Sequence, residues 1–194
     1  MEPEKANIMA TDTLAKPASS TPPAALPKAL KPVGVRAWHN ADVAAAHEAA
    51  RVDREPVFVP ASFFCDDRGW SIMNQMQGVM TAQGQINYSV MYPSVIKAWH
   101  RHAKQTDFWM CLHGSLKTGI YRESDGKTWL HVFGEKRPGV LIIPPPLWHG
   151  AATVGSTDAG LLYYVTHAYD PKAPDEDRRA HDSVEGFPWG VRHG

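Results

Sequence analysis

The densest chemistry in this chain is Trp99-His100-Arg101-His102, followed by Asp107, with His149 further along. Residues two apart on a strand share a face, so His100 and His102 can both point into one interior. GVLIIPPPLWHG reads as a strand that delivers His149 at its end, where prolines stop the hydrogen-bond ladder. Two chemistries use such a cluster. Three imidazoles and a carboxylate can hold a divalent transition metal with open positions, through His100, His102, Asp107 and His149. Alternatively, one imidazole serves as a general base while the others bind substrate. His113, His131, His167 and His181 lack this context and read as surface or backbone-satisfied histidines.

Elements must hold these groups. From Pro56 onward, short runs rich in β-branched and aromatic residues are separated by Gly, Pro, Asp and Asn. They are PVFVPASFF, GQINYSVMY, VIKAW, DFWMCLHG, LKTGIYR, TWLHVFG, GVLIIPP and GLLYYVTHAY. Spaced strands with turn signals predict an all-β barrel or sandwich. Before them, ADVAAAHEAARV predicts a short surface helix capped by Asn40 or Asp42. The stretch 1–33 is rich in Ala, Pro, Ser, Thr and Lys, a composition that cannot bury enough apolar area to offset ordering, so a flexible, disordered tail is expected. Residues 34–194 then form one domain, in which the charged DPKAPDEDRRAHDS is followed by FPWGV as a last apolar anchor.

Composition narrows the functions. The 194 residues are 43% hydrophobic and 21% charged, with a formal net charge of zero. Neutrality offers no long-range pull toward nucleic acid or an anionic membrane, so phosphate binding would need a few placed cations. No stretch is apolar enough to serve as a signal core or to span a bilayer, which reads as a soluble cytoplasmic protein. Cys65 and Cys111 are too few for a disulfide framework and read as reduced thiols.

The histidine spacing resembles the two cupin motifs. His100, His102, Asp107 and Gly114 match the first; Pro144-Pro145-Pro146-Leu147-Trp148-His149 matches the second, with Pro146 at the usual Gly. Further strings resemble the dTDP-4-dehydrorhamnose 3,5-epimerase family. Asp67-Arg68-Gly69 is similar to its D-x-R-G segment, Gln85-Ile86-Asn87-Tyr88-Ser89 to its Q-x-N-x-S strand, and Lys97-Ala98-Trp99-His100 to its R-G-L-H. IIPPPLWHG resembles I-P-x-G-x-x-H-G, and LYYVTHAYDP resembles L-Y-K-x-T-x-Y-Y-x-P, over a span from about Pro56 to Trp189.

The resemblance implies a cupin double-stranded β-helix (jelly-roll barrel) that epimerises a nucleotide-linked 4-keto-6-deoxy sugar. It implies His100 as base and Tyr163 as acid. Arg68, Gln85, Asn87, Lys97, His149 and Tyr169 would bind substrate. The partner is then a nucleotide sugar, with neither nucleic acid nor membrane involved, and the chain forms a homodimer without a cofactor. Three departures mark a divergent branch. Gln105-Thr106-Asp107 places a carboxylate where a lysine is implied, Met73 stands at the position of an acid, and no Ser-x-Lys-Asp segment follows Trp189. The first departure keeps one divalent transition metal as the alternative cofactor, for a metal-dependent dioxygenase, isomerase or lyase. A non-catalytic sugar-binding cupin is the third reading.

Overall fold

A computed structural model describes residues 28–62 and 64–191. Strands β1 (Val33–Gly34) and β2 (Arg36–Ala37) precede helix α1 (Val43–Asp53). Then come β3 (Val57–Pro60), the small hairpin β4 (Phe64–Asp66) and β5 (Gly69–Ser71), and β6 (Gln85–Met91). The remaining strands are β7 (Ile96–Arg101), β8 (Asp107–His113), β9 (Ser115–Tyr121), β10 (Thr128–Gly134), β11 (Gly139–Ile143), β12 (Trp148–Thr153), β13 (Ala159–Val165) and β14 (Asp177–Arg178). Two six-stranded sheets, ordered β1-β10-β9-β12-β7-β14 and β2-β3-β11-β8-β13-β6, face each other as a jelly-roll barrel, the cupin architecture. Most of the expected tail lies outside the described residues. Of its last residues, Leu30 donates its N–H to the Gly126 carbonyl at 2.9 Å, and Val33 pairs with Trp129.

Alternation along the strands sorts the apolar residues into three layers. Phe58, Trp109, Cys111, Leu116, Ile120, Leu141 and Leu161 meet between the sheets. Their neighbours Val57, Val59, Phe108, Met110, Val140, Ile142 and Tyr164 turn outward and pack beneath α1. On the other sheet, Trp99, Tyr121 and Trp148 turn outward under Val184 and Phe187 of the C-terminal segment. Strands buried on both faces explain why runs such as Val140-Leu141-Ile142-Ile143 are continuously apolar rather than alternating.

Helix α1 starts where expected: Asp42 is its N-cap and accepts from the Ala45 N–H at 2.9 Å. Its packing is closer than its weak apolar face suggests, because Ala46 and Ala50 are fully buried and their small side chains let the backbone approach the sheet. One expected boundary is corrected. The ladder of β11 ends at Ile143, Pro144–Leu147 make a turn closed by the Leu147 N–H on the Pro144 carbonyl at 3.3 Å, and His149 lies near the start of β12. Prolines have no N–H to continue a ladder, so the chain turns before the histidine rather than after it.

The C-terminal segment is fastened by aromatic and ionic contacts together. Arg101 and Arg179 each place a guanidinium 4.6 Å from the Trp148 ring. Both also pair with Glu123, at 2.5 and 3.1 Å, and Arg101 reaches Asp177 at 3.0 Å. Among the described residues, no helix is long and apolar enough to cross a membrane, and both cysteines are free thiols.

Two stability outcomes follow from this packing. A Cβ on Gly119 would lie 2.5 Å from Phe187 Cζ and 2.8 Å from Trp189 Cη2, so Gly119→Ala must push the C-terminal segment off the sheet. It should lower the unfolding free energy by about 1–3 kcal/mol, read as a lower urea midpoint. The second concerns His131, which the sequence reads as surface or backbone-satisfied but which is buried, its ring centroid 4.3 Å from that of Phe58, with no partner for Nε2 among the described residues. Burial, then the nearby Arg137 charge, lowers its pKa from 6.5 to about 4. The unfolded chain therefore binds the proton first, and stability should fall as pH drops from about 6.5 toward about 4, by up to roughly 3 kcal/mol. His131→Leu should remove that part of the acid dependence in pH-resolved urea titrations.

Candidate active site

Strand pairing brings the chemistry-bearing residues together. In the antiparallel β7–β12 pair, His149 lies opposite His100, with a register shift immediately beyond. Trp99 and Trp148 point outward into the third apolar layer, so their neighbours His100 and His149 point inward. Their ring centroids are 4.2 Å apart. His102 keeps the inward face one residue past β7, its ring 5.7 Å from His100 and 5.6 Å from His149. The facing sheet supplies Asp107, the first residue of β8. Ligand atoms of His100, His102, Asp107 and His149 all lie within 4.8 Å of one another.

The carboxylate is the buried centre of this group. Asp107 is 3% exposed; its Oδ1 accepts from Gln105 Nε2 at 2.7 Å and its Oδ2 from Trp109 Nε1 at 3.0 Å. His149 Nε2 stands 3.5 Å from Oδ2, and His102 Nε2 stands 3.9 Å from Oδ1. Burial alone would raise the Asp107 pKa. Contact with His149 and the charges of His149, His102 and His100 outweigh it and hold the carboxyl well below its ordinary range. His100 moves the other way: burial, then the neighbouring His149 charge, pushes its pKa well below 6.5, against the pull of Asp107. At neutral pH it is an uncharged imidazole, the form a base requires.

These groups open onto a cavity of about 1060 Å³ between the sheets, lined by His100, His102 and Asp107. Tyr163 lines it from β13 while Tyr164 faces outward, its hydroxyl accepting the Thr81 N–H at 2.8 Å. Burial, then the Asp107 and Glu176 charges, raises the Tyr163 pKa, which keeps the phenol protonated. Gln85, Asn87, Lys97 and Tyr169 line the same cavity. Gln85 donates from Nε2 to Asn87 Oδ1 at 2.8 Å and accepts the Tyr169 N–H on Oε1 at 3.2 Å; Lys97 donates to Ser89 Oγ at 3.1 Å.

Two expected binding residues sit elsewhere. His149 is 2% exposed and lies against Asp107 and His100 rather than on the open wall. Arg68 is on the exposed β4–β5 hairpin, which among the described residues pairs only with itself, and its guanidinium is held by Asp66. It does not line the cavity of its own chain.

The C-terminal segment supplies residues that motif spacing missed. Asp175 accepts the N–H groups of Ala103, Lys104 and Gln105 on its carboxylate, at 2.9, 2.9 and 3.2 Å, while its backbone carbonyl accepts from His102 Nδ1. Glu176, Arg178 and Arg179 also line the cavity, and Arg178 pairs with His100 across the β14–β7 ladder. The only signal for them in the sequence is the density of charge in Asp170–Asp182.

No family model matches the chain. The spore coat polysaccharide biosynthesis protein SpsL of Bacillus subtilis strain 168 is 34% identical over 134 residues, 65% of this chain and 89% of that protein. The probable low-salt glycan biosynthesis epimerase Agl13 of Haloferax volcanii is 38% identical over 101 residues, 49% of this chain and 65% of that protein. In structure, the chain is similar to a dTDP sugar isomerase from Desulfovibrio desulfuricans G20, with a TM-score of 0.61 at 22% identity over 69% of this chain and 90% of that one. It is similar also to the dTDP-6-deoxy-D-glucose-3,5-epimerase RmlC from Legionella pneumophila Philadelphia 1, with a TM-score of 0.55 at 18% identity, covering 67% and 77% of the two chains. At these identities the two structures speak to the barrel alone. With SpsL 34% identical and matched over 89% of its length, the chain belongs to the dTDP-4-dehydrorhamnose 3,5-epimerase family as a divergent member.

Proposed function

We propose that this enzyme epimerises a nucleotide-linked 4-keto-6-deoxy sugar by removing and returning a proton beside the ketone. The observation that carries the reading is the placement of His100 and Tyr163 on opposite sheets, β7 and β13, facing one cavity. Inverting a carbon requires a base on one face and an acid on the other, so the two groups must come from separate walls. Neutral His100 takes the proton, and the carbon's electron pair moves onto the keto oxygen as an enolate. Protonated Tyr163 then delivers a proton to the opposite face.

The remaining groups suit a charged sugar. Lys97, Lys104, Arg178 and Arg179 line the cavity and provide the cations that diphosphate oxygens need, although Arg68 stands apart. Gln85 and Asn87 offer amides to sugar hydroxyls, and Tyr169 offers an exposed ring for stacking. The similarity to SpsL and Agl13, whose names specify polysaccharide and glycan biosynthesis, supports a sugar substrate. The similarity to an RmlC structure in complex with dTDP-4-keto-L-rhamnose supports a keto sugar on dTDP. The working form is a homodimer. Its support is the sheet edge at β6, where Ile86, Tyr88 and Val90 are 51%, 58% and 43% exposed on the side away from the cavity.

The test is proton NMR of dTDP-4-keto-6-deoxyglucose in deuterated water. The enzyme should introduce deuterium at C3, C5 or both, and the absence of exchange at high enzyme concentration would sink the reading. His100→Ala should slow exchange by about 10²–10⁴-fold while keeping nucleotide-sugar binding. Tyr163→Phe should separate two steps: exchange from the starting sugar persists, and formation of the inverted product drops.

A further inference from the structure

We infer that Arg178 is a further catalytic residue, donating hydrogen bonds to the sugar's keto oxygen as the enolate forms, and that Glu176 is the residue that positions it. This rests on the function proposed above and names a group that the reaction needs.

The strand register comes first. β14 pairs with β7 so that Arg178 lies opposite His100 and Asp177 opposite Arg101. One step along, Trp99 and Arg179 exchange both backbone hydrogen bonds, at 2.8 and 2.9 Å. His100 and Arg178 are therefore the next, non-hydrogen-bonded pair of an antiparallel ladder, in which opposite side chains stand closest and leave on the same face. That face is the cavity side, because the neighbours of His100, Trp99 and Arg101, both turn outward. The neighbours of Arg178 keep the same alternation. Asp177 pairs with Arg101 at 3.0 Å and Arg179 lies 4.6 Å from the Trp148 ring, both on the outer side. Among the described residues, Arg178 is thus the cation that stands beside the base on its own face.

The donor geometry comes second. Glu176 holds Arg178 along one edge, with Nε 3.0 Å from Oε2 and Nη2 2.9 Å from Oε1. A guanidinium carries five N–H donors in one rigid plane, so this side-on fork uses two and leaves the edge between Nη1 and Nη2 for a second acceptor. The Glu176 side chain is 19% exposed and that of Arg178 71%. The carboxylate is therefore the fixed end of the pair, and the free edge of the guanidinium is open to a ligand in the cavity that both residues line.

Charge comes third. An enolate oxygen formed here shares the cavity with Asp107, a buried carboxylate kept ionised against its burial by contact with His149. Negative charge developing near that carboxylate needs an opposing donor. The field of Arg178 reaches both ends of the proton path. Burial and the His149 charge do most to keep His100 neutral, and Arg178 adds to them; at Tyr163, where burial dominates, Arg178 opposes the rise. A guanidinium felt by groups on opposite walls lies over the space between them, which the ring must occupy. Water around Arg178 weakens its pull on an anion, and a sugar that displaces this water strengthens it. Arginine stays protonated in proteins, so it donates hydrogen bonds to the oxygen while Tyr163 remains the acid. The other cations of the cavity are left for the diphosphate oxygens.

The test measures two quantities on the full chain: deuterium exchange into dTDP-4-keto-6-deoxyglucose, and binding of dTDP alone. Arg178→Ala should lower kcat for exchange by about 10²–10³-fold, the loss that follows removal of one oxyanion donor, while KM and the Kd for dTDP stay close to the wild-type values. Guanidinium ion at sub-denaturing concentration should restore part of the rate to Arg178→Ala and none to the wild type. Arg178→Lys, which keeps the charge and loses the fork, should fall between the two. Glu176→Gln should also lower kcat, and adding it to Arg178→Ala should cost nothing more; additive losses would overturn the positioning role. Unchanged kcat in Arg178→Ala, or a loss confined to dTDP affinity, would overturn the catalytic role. Wild-type exchange reads the epimerase function separately. Its absence removes that function and this inference together, whereas exchange that survives Arg178→Ala removes this inference alone.

Discussion

A carboxylate buried among imidazoles organises this molecule. Asp107 starts β8 at 3% exposure, a place where an isolated charge would be costly. It is retained because two hydrogen-bond donors and three histidines surround it: Gln105 and Trp109 from its own stretch, His100 and His102 from β7 and its end, and His149 from β12. β7 must pair with β12 to place His100 against His149, and β8 must face them from the second sheet. The apolar layers on either side keep that register: a slip of one residue would send Trp99 and Trp148 inward and both histidines out. The large residues that alternate with the polar ones therefore protect the chemistry as well as the fold.

Electrostatics then divides the labour within the cavity. His100 is driven toward its neutral form by burial, and Tyr163 is held in its protonated form by burial and nearby carboxylates. One environment thus holds an uncharged imidazole on one wall and a protonated phenol on the other. The cations that line the cavity come from β7 (Lys97), the turn after it (Lys104) and the C-terminal segment (Arg178 and Arg179).

Much of this was legible in the sequence because strand chemistry is local. The β-branched and aromatic runs mark β6 through β11 and β13, and Asp42 marks the start of α1. The i, i+2 spacing of His100 and His102 correctly implies a shared face. What stayed hidden depends on partners distant in the chain. The strand β12, Trp148–Thr153, is rich in Gly and Ala and has little intrinsic preference for a strand; it is one because β7 and β9 flank it. Arg68 carries a motif, yet its hairpin pairs with nothing else in the two large sheets. Asp175 has no motif at all, and its value comes from a turn 70–73 residues earlier.

That last separation bears on how the protein comes into being on the ribosome. Synthesis makes His102 well before the carbonyl that orients its ring, and the anchor residues Phe187 and Trp189 emerge later still. The barrel strands can pair as they appear, since domains begin to organise from the N-terminal side. The reactive centre is completed only when the segment carrying Val184, Phe187 and Trp189 docks across Trp99 and Trp148. A nascent chain therefore carries a closed scaffold with an unfinished interior, and maturation of the site waits for the synthesis of residues 175–189.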